Sequence, residues 1–256
     1  MAFPFYVSPE QLTKDKAEFA RKGIARGRPL VAVEYVDGIL IVAENPSKAL
    51  RKISEVYDRI AFAAVGRYNE FETLRVMGIR LADMTGYSNS REDVSSRALA
   101  NVYAQQLGTV FTTELKPFEV ELLLAEVGHD PEGNRIYHVL YDGSLYDERS
   151  FAAIGGDSDR VREALDRKFR AAMSLEEALR CAFEALGSED ESHSLTADDL
   201  EVAVLDRTAP THRKFRRLSV SEVRSVVGGP NTSGETAGAR SDSSSAPEAD
   251  TDASSD

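Results

Sequence analysis

The sequence has a single cysteine and no long apolar stretch, and each shortage excludes a class of protein. With Cys181 alone no intramolecular disulfide forms, which fits a reducing compartment. No apolar run reaches the roughly 18 residues that a transmembrane helix needs. The first residues, MAFPFYVSPEQ, lack the basic start and long apolar segment of a secretory signal. We therefore expect a cytoplasmic protein without membrane contact.

The sequence also has fewer basic than acidic residues, with 31 Lys and Arg against 43 Asp and Glu, which gives a net charge of −12. A general nucleic-acid binder carries a basic surface, so that class is excluded. The four histidines are scattered, and neither HExxH nor a Cys/His ligand spacing occurs, nor does the GxxxxGK[ST] of a P-loop. We expect no metal, no cofactor and no ATPase activity of the chain itself.

The last part of the chain differs in composition from the rest. Residues 228–256 consist mainly of small and acidic residues with no apolar pattern, and hold six acids against one base. Such a segment buries too little apolar surface to offset the entropy lost on ordering. The sequence therefore predicts a disordered acidic tail over 228–256 after one domain over 9–227.

Apolar spacing, capping residues and turn signals divide that domain into helices and strands. The pattern predicts helices over 9–26, 69–86, 91–111, 161–169, 174–187 and 219–227. It predicts strands over 30–36, 38–43, 59–66, 118–128, 135–141, 150–156, 200–207 and 214–219, with 44–52 as a polar, basic connection. Strands in sheets and helices in pairs indicate an α+β fold, two facing antiparallel sheets with helix pairs outside.

The hairpin over 30–43 and the AAIGG before a helix, in this order of elements, resemble the proteasome subunits. Their fold is the four-layer αββα sandwich of the N-terminal-nucleophile hydrolases. The runs EFARKGIARG, VAENPSK, KISEVYDRI, LANVYAQQLGT and KPFEVELLLAEV are similar to the α subunits of actinobacterial proteasomes. The resemblance covers about residues 3–227.

The resemblance implies that this chain has no catalytic residue. In active β subunits the first strand opens with a threonine freed by cleavage, whose hydroxyl attacks and whose amine is the base. That position here is Arg28, within an uncut chain. The acid expected after the hairpin is Glu44, and the lysine expected before the next strand is interpreted as replaced by Arg59, whose guanidinium stays protonated.

The resemblance also implies a gate at the amino terminus. The helix over 9–26 is similar to the helix that lines the top of an α ring, which places residues 1–8 at the axial pore. Converging copies of this apolar, aromatic segment would close the channel; the alternative is a frayed terminus. The gate residues are Met1, Ala2, Phe3, Pro4, Phe5, Tyr6, Val7 and Ser8. The first helix has AEFA where other α subunits have VEYA, so their open-gate contacts are not transferred.

A second implied site receives activators. In the family, pockets between α subunits accept the carboxyl-terminal tails of ring ATPases, and a lysine pairs with the tail carboxylate. By resemblance the docking lysine is Lys52, with Arg26 next. The alternative is a solvated basic face.

The implied function is a non-catalytic α subunit of a 20S core particle. Its partners are neighbouring α subunits in a homo-heptameric ring, β subunits, an AAA ring ATPase and protein substrates in transit, tagged through the Pup modifier pathway. Two alternatives stay open from the residues alone: an active N-terminal-nucleophile amidohydrolase with another nucleophile, and a free-standing binding module.

Overall fold

The structure, a computed structural model, describes residues 8–47, 49–187 and 195–228. Residues 1–7 of the predicted gate and 229–256 of the predicted tail lie outside the described residues. Six α-helices are described: α1 (Pro9–Ala25), α2 (Tyr68–Ser88), α3 (Ser96–Thr113), α4 (Ser158–Lys168), α5 (Leu175–Gly187) and α6 (Val220–Val227). Among the described residues, no helix combines the length and apolar character needed to cross a bilayer.

The described part of the chain contains ten strands, which form two five-stranded antiparallel sheets. Sheet 1 has the order β10-β9-β2-β1-β8, from β1 (Leu30–Tyr35), β2 (Gly38–Glu44), β8 (Phe151–Ile154), β9 (Leu200–Asp206) and β10 (Phe215–Arg217). Sheet 2 has the order β3-β4-β5-β6-β7, from β3 (Ile53–Tyr57), β4 (Ile60–Gly66), β5 (Val120–Glu126), β6 (Arg135–Val139) and β7 (Leu145–Glu148).

The core lies in three layers, which confirms the αββα sandwich. Small and branched side chains fill the space between the sheets, among them Leu30, Ala32, Ile41, Ala63 and Leu123. Helices α2 and α3 cover the outer face of sheet 2, and helices α4, α5 and α6 cover that of sheet 1. Because most strands are buried on both faces, they are continuous apolar runs rather than alternating ones.

Three sequence predictions are corrected. Strand β3 was missed, because ISEVY carries a polar residue in an already polar stretch. Strand β7, LYDE, was missed because it is a sheet edge with no buried residue. The helix predicted from residue 91 begins at Ser96, after a 3₁₀ turn at Arg91–Asp93; the Ser95 side chain caps it.

Helix α1 lies across one end of the sandwich. Ser8 caps it, accepting a hydrogen bond from the Gln11 backbone N–H at 3.2 Å. Its small residues permit close approach: a Cβ on Gly23 would stand 2.1 Å from Glu119 Oε2, and one on Gly27 would meet Val65. We call this the α1 end of the sandwich; β1, β3, β5 and β9 start there.

Candidate functional site at the start of the first strand

The candidate site is built from four chain segments that meet at the α1 end. Helix α1 finishes at Ala25, and residues 26–29 lead into β1. Strand β1 is paired with β2 along its whole length, and β2 finishes at Glu44, whose backbone N–H donates to the Pro29 oxygen at 3.1 Å. The connection from β2 to β3 returns Lys52 to the same place, immediately before β3 begins at Ile53.

Three charged side chains of these segments lie together. The Arg28 guanidinium is ion-paired with the Glu44 carboxylate, which is 7% exposed. The Lys52 ammonium donates to the backbone oxygen of Arg28 at 2.8 Å and to that of Glu44 at 3.0 Å. The structure therefore brings together Arg28, Glu44 and Lys52, which stand 8 to 24 positions apart in the sequence.

This arrangement has no group suited to nucleophilic attack at position 28. A guanidinium carries only N–H donors and no free oxygen or sulfur. The backbone nitrogen of Arg28 is an amide within the chain, so no free amine is present to act as base. The Glu44 carboxylate accepts a hydrogen bond from the Arg28 guanidinium.

The interpretation of Arg59 as the replacement for the family's lysine is wrong. Because β3 begins at Ile53, the lysine that stands before the next strand is Lys52. Arg59 lies in the β3–β4 turn at the opposite end, where its Nε donates to the Val127 oxygen at 2.8 Å. The acid and the lysine expected from the resemblance are both present, and only the nucleophile is missing.

The predicted docking residues lie on either side of Arg28. Arg26 is the C-cap of α1 and lines a cleft of about 450 Å³ together with Arg28, Glu44 and Leu186. Lys52 is not among the residues that line this cleft. Its ammonium donates to the backbone oxygens of Arg28 and Glu44, and both of those residues line the cleft. Arg28 thus connects the cleft that Arg26 lines with the hydrogen bonds of the Lys52 ammonium.

One residue of the site was missed by sequence reasoning. Glu201 is 4% exposed and accepts hydrogen bonds from the Asn45 side chain at 2.8 Å and from the Lys52 backbone N–H at 2.9 Å. The sequence did carry a signal for it, because Glu201 is an acid within the apolar part of the strand LEVAVLD. A carboxylate buried there needs hydrogen-bond partners. Its partners are far away in sequence and were therefore not predictable.

The other predicted features are placed as follows. Cys181 lies on the buried face of α5 and is 6% exposed, and burial raises the pKa of its thiol, as expected of an inert core residue. Within the described ranges, no group of three or more His, Cys, Asp or Glu side chains could hold a metal ion. Of the predicted gate, Ser8 is described, as the cap of α1.

A family model described as proteasome subunit matches residues 24–205, a span that runs from the end of α1 to the end of β9 and includes Arg28, Glu44, Lys52 and Glu201. The chain belongs to the proteasome subunit family. The match to a proteasome subunit agrees with the two facing five-stranded sheets and their helix layers.

Several curated proteasome subunits are similar to the chain over most of its length. A protein of Nocardioides sp. is 56% identical over 230 residues, 89% of this chain and 90% of its own. One of Kineococcus radiotolerans is 56% identical over 236 residues, 90% and 99%. One of Thermobifida fusca is 57% identical over 219 residues, 85% and 88%. Each is named proteasome subunit alpha, which confirms the resemblance to actinobacterial α subunits.

Proposed function

We propose that this chain is a non-catalytic α-ring subunit of a 20S proteasome core particle. The single observation that carries the proposal is Arg28: its guanidinium occupies the start of β1 and is paired with Glu44, in an uncut chain. The hydrolase fold is kept while the nucleophile and the free amine are absent. Such a chain contributes to a degradative compartment by assembly and by control of access.

Assembly is the first part of the proposal. Copies of the chain form homo-heptameric outer rings that stack on rings of catalytic β subunits, in the cytoplasm. The experiment is co-expression with a β subunit, with the mass of the purified particle as the measurement. We expect a particle of several hundred kDa that contains both chains; a lone 28.1 kDa monomer under those conditions contradicts it.

Control of passage is the second part. The segment 1–8 precedes α1, and α1 lies across one end of the sandwich, with Ser8 as the junction. Three of the first six residues are aromatic, Phe3, Phe5 and Tyr6. Seven such segments around an axis pack their rings together and close the pore to protein substrates until an activator opens it.

Activator docking is the third part. A ring ATPase presents carboxyl-terminal tails, and a tail carboxylate pairs with the Lys52 ammonium by charge-assisted hydrogen bonds. Two carbonyl oxygens hold that ammonium in one place, so the pair forms with little loss of side-chain freedom. Arg26, exposed at the end of α1, adds positive charge nearby. The ATPase then delivers Pup-tagged proteins to the pore.

A further inference from the structure

Glu201 is a buried carboxylate at the α1 end of the sandwich. It lies on β9 opposite Ala43 of β2, on the same strand face as Ala203 and Leu205, which fill the space between the sheets. Its side chain therefore points from sheet 1 toward sheet 2. A carboxylate in that position is costly unless donors satisfy it.

Among the described residues, four groups from three chain segments donate hydrogen bonds to the Glu201 carboxylate. Oε2 accepts from Asn45 Nδ2 at 2.8 Å and from the backbone N–H of Lys52 at 2.9 Å. Oε1 accepts from the backbone N–H of Ile53 at 3.4 Å and from the Arg217 guanidinium at 2.5 Å. Arg217 also donates to the Ile53 oxygen, so the guanidinium closes the cluster on the side of β10.

These bonds fix both ends of the connection between the two sheets. Asn45 stands directly after β2, and Lys52 stands directly before β3. The Asn45 amide also bonds to the Leu50 oxygen at 2.8 Å, within the same connection. The backbone of Lys52 is held by Glu201 while its ammonium is held by the oxygens of Arg28 and Glu44.

We propose that Glu201 is the positioning residue of the activator-docking site, holding Lys52 where its ammonium meets a tail carboxylate. The inference rests on the docking function proposed above and adds a buried residue that does not touch the tail. Without the carboxylate, the connection 45–52 loses the anchor at both ends. The ammonium then samples more positions, and pairing with the tail costs more entropy.

The test substitution is Glu201→Gln, which keeps the side-chain shape. Because each of these four partners is a donor, the new amide NH₂ faces donors, and at least part of the cluster is lost. A matched control is Glu121→Gln. Glu121 is also buried, inward-pointing and at the α1 end, but it bonds to His138 at 2.7 Å and to the Gly155 N–H at 3.1 Å, not to the 45–53 segment.

The readout is the binding of two synthetic peptides, matching the ATPase carboxyl terminus, to the assembled particle. One peptide ends in a free carboxylate and the other in an amide. We expect Glu201→Gln to weaken binding of the carboxylate peptide about tenfold and to leave binding of the amide peptide unchanged. Glu121→Gln should keep the discrimination between the peptides. If the substitution only destabilised the folded chain, binding of both peptides would weaken or binding of neither would.

A second readout is hydrogen–deuterium exchange of segment 45–53, which also works on chains that fail to assemble. Faster exchange at Lys52 and Ile53 in Glu201→Gln, but not in Glu121→Gln, supports the proposal. Unchanged exchange overturns it, as does normal carboxylate-peptide binding by Glu201→Gln when Lys52→Ala has lost binding. If Lys52→Ala binds normally, the docking function itself fails, and the exchange result still decides whether Glu201 positions Lys52.

Discussion

At the scale of single residues, Lys52 combines two roles that the sequence had assigned to different positions. It is the lysine that precedes β3, and it is the predicted docking residue. Its ammonium bonds to two backbone oxygens, one of them that of Arg28. The error over Arg59 arose because β3 was not predicted, so the lysine was looked for before the wrong strand.

Replacing Lys52 tests the docking role directly. We expect Lys52→Ala to weaken binding of the ATPase tail peptide by about tenfold or more, because a charge-assisted pair is lost. Arg51→Ala is the matched control, since Arg51 is an exposed cation one position away. Fluorescence anisotropy with the assembled particle measures both variants. Equal loss in the two variants would show only that the general positive charge matters.

His138 is a second residue whose environment was not predicted. It lies on β6 between two carboxylates, with Nε2 at 2.7 Å from Glu121 and Nδ1 at 3.7 Å from Glu148. Burial alone lowers the pKa of His138, but the hydrogen bond to Glu121 and the nearby Glu148 carboxylate outweigh it and raise the pKa to about 9. His138, aided by Arg162, holds the pKa of Glu148 down to about 2.

These values predict how stability depends on pH. A histidine whose folded pKa is raised contributes stability that is complete below its ordinary pKa of 6.5 and is lost as the pH rises through about 9. We expect the free energy of unfolding to fall by on the order of 2 kcal/mol across this range. Urea unfolding at stepped pH measures it. His138→Gln should remove most of the slope, and an unchanged slope would refute this assignment.

At the scale of elements, α1 connects the predicted gate to the rest of the molecule. Its start was predictable from SPEQ, and Ser8 does cap the helix. The packing of α1 against the sheets was not predictable, because it depends on the close approach of Gly23 to Glu119, a residue distant in sequence. Strand β7 shows the same limit: an edge strand with exposed, polar side chains carries no apolar signal, and only pairing with β6 defines it.

Truncation at the junction of gate and helix separates the two. Deleting residues 2–7 keeps Ser8 as the cap of α1, so the helix is left intact. We expect the peptidase activity of the assembled particle toward short peptides to rise several-fold, because the deletion removes the proposed gate. Hydrolysis of a fluorogenic peptide is the measurement.

The matched control for that deletion is Ser8→Ala in the full-length chain. It removes the cap bond to Gln11 and costs α1 about 1 kcal/mol, while the sequence of residues 1–7, with its three aromatic side chains, is unchanged. Its activity should equal that of the unmodified particle. If the deletion leaves activity unchanged, residues 1–8 do not form the gate; if both variants rise alike, the fraying of α1 is responsible.

At the scale of the whole molecule, two buried carboxylates link the two sheets at the α1 end, and each comes from a different sheet. Glu201 of sheet 1 accepts from Ile53 of sheet 2, and Glu121 of sheet 2 accepts from Gly155 beside sheet 1. The layer order followed from alternating groups of strands and helices in the sequence. These cross-sheet hydrogen bonds could not be predicted from the sequence, since they join residues more than thirty positions apart.

Arg28 stands at the position where the resemblance puts the nucleophile, so we expect this chain to cleave no substrate. The most direct measurement is intact mass spectrometry of the assembled particle after treatment with a covalent threonine-directed inhibitor. We predict an adduct on the β chain alone, and this chain at its uncut mass. An adduct on this chain, or a new amino terminus created near Arg28, would contradict the account.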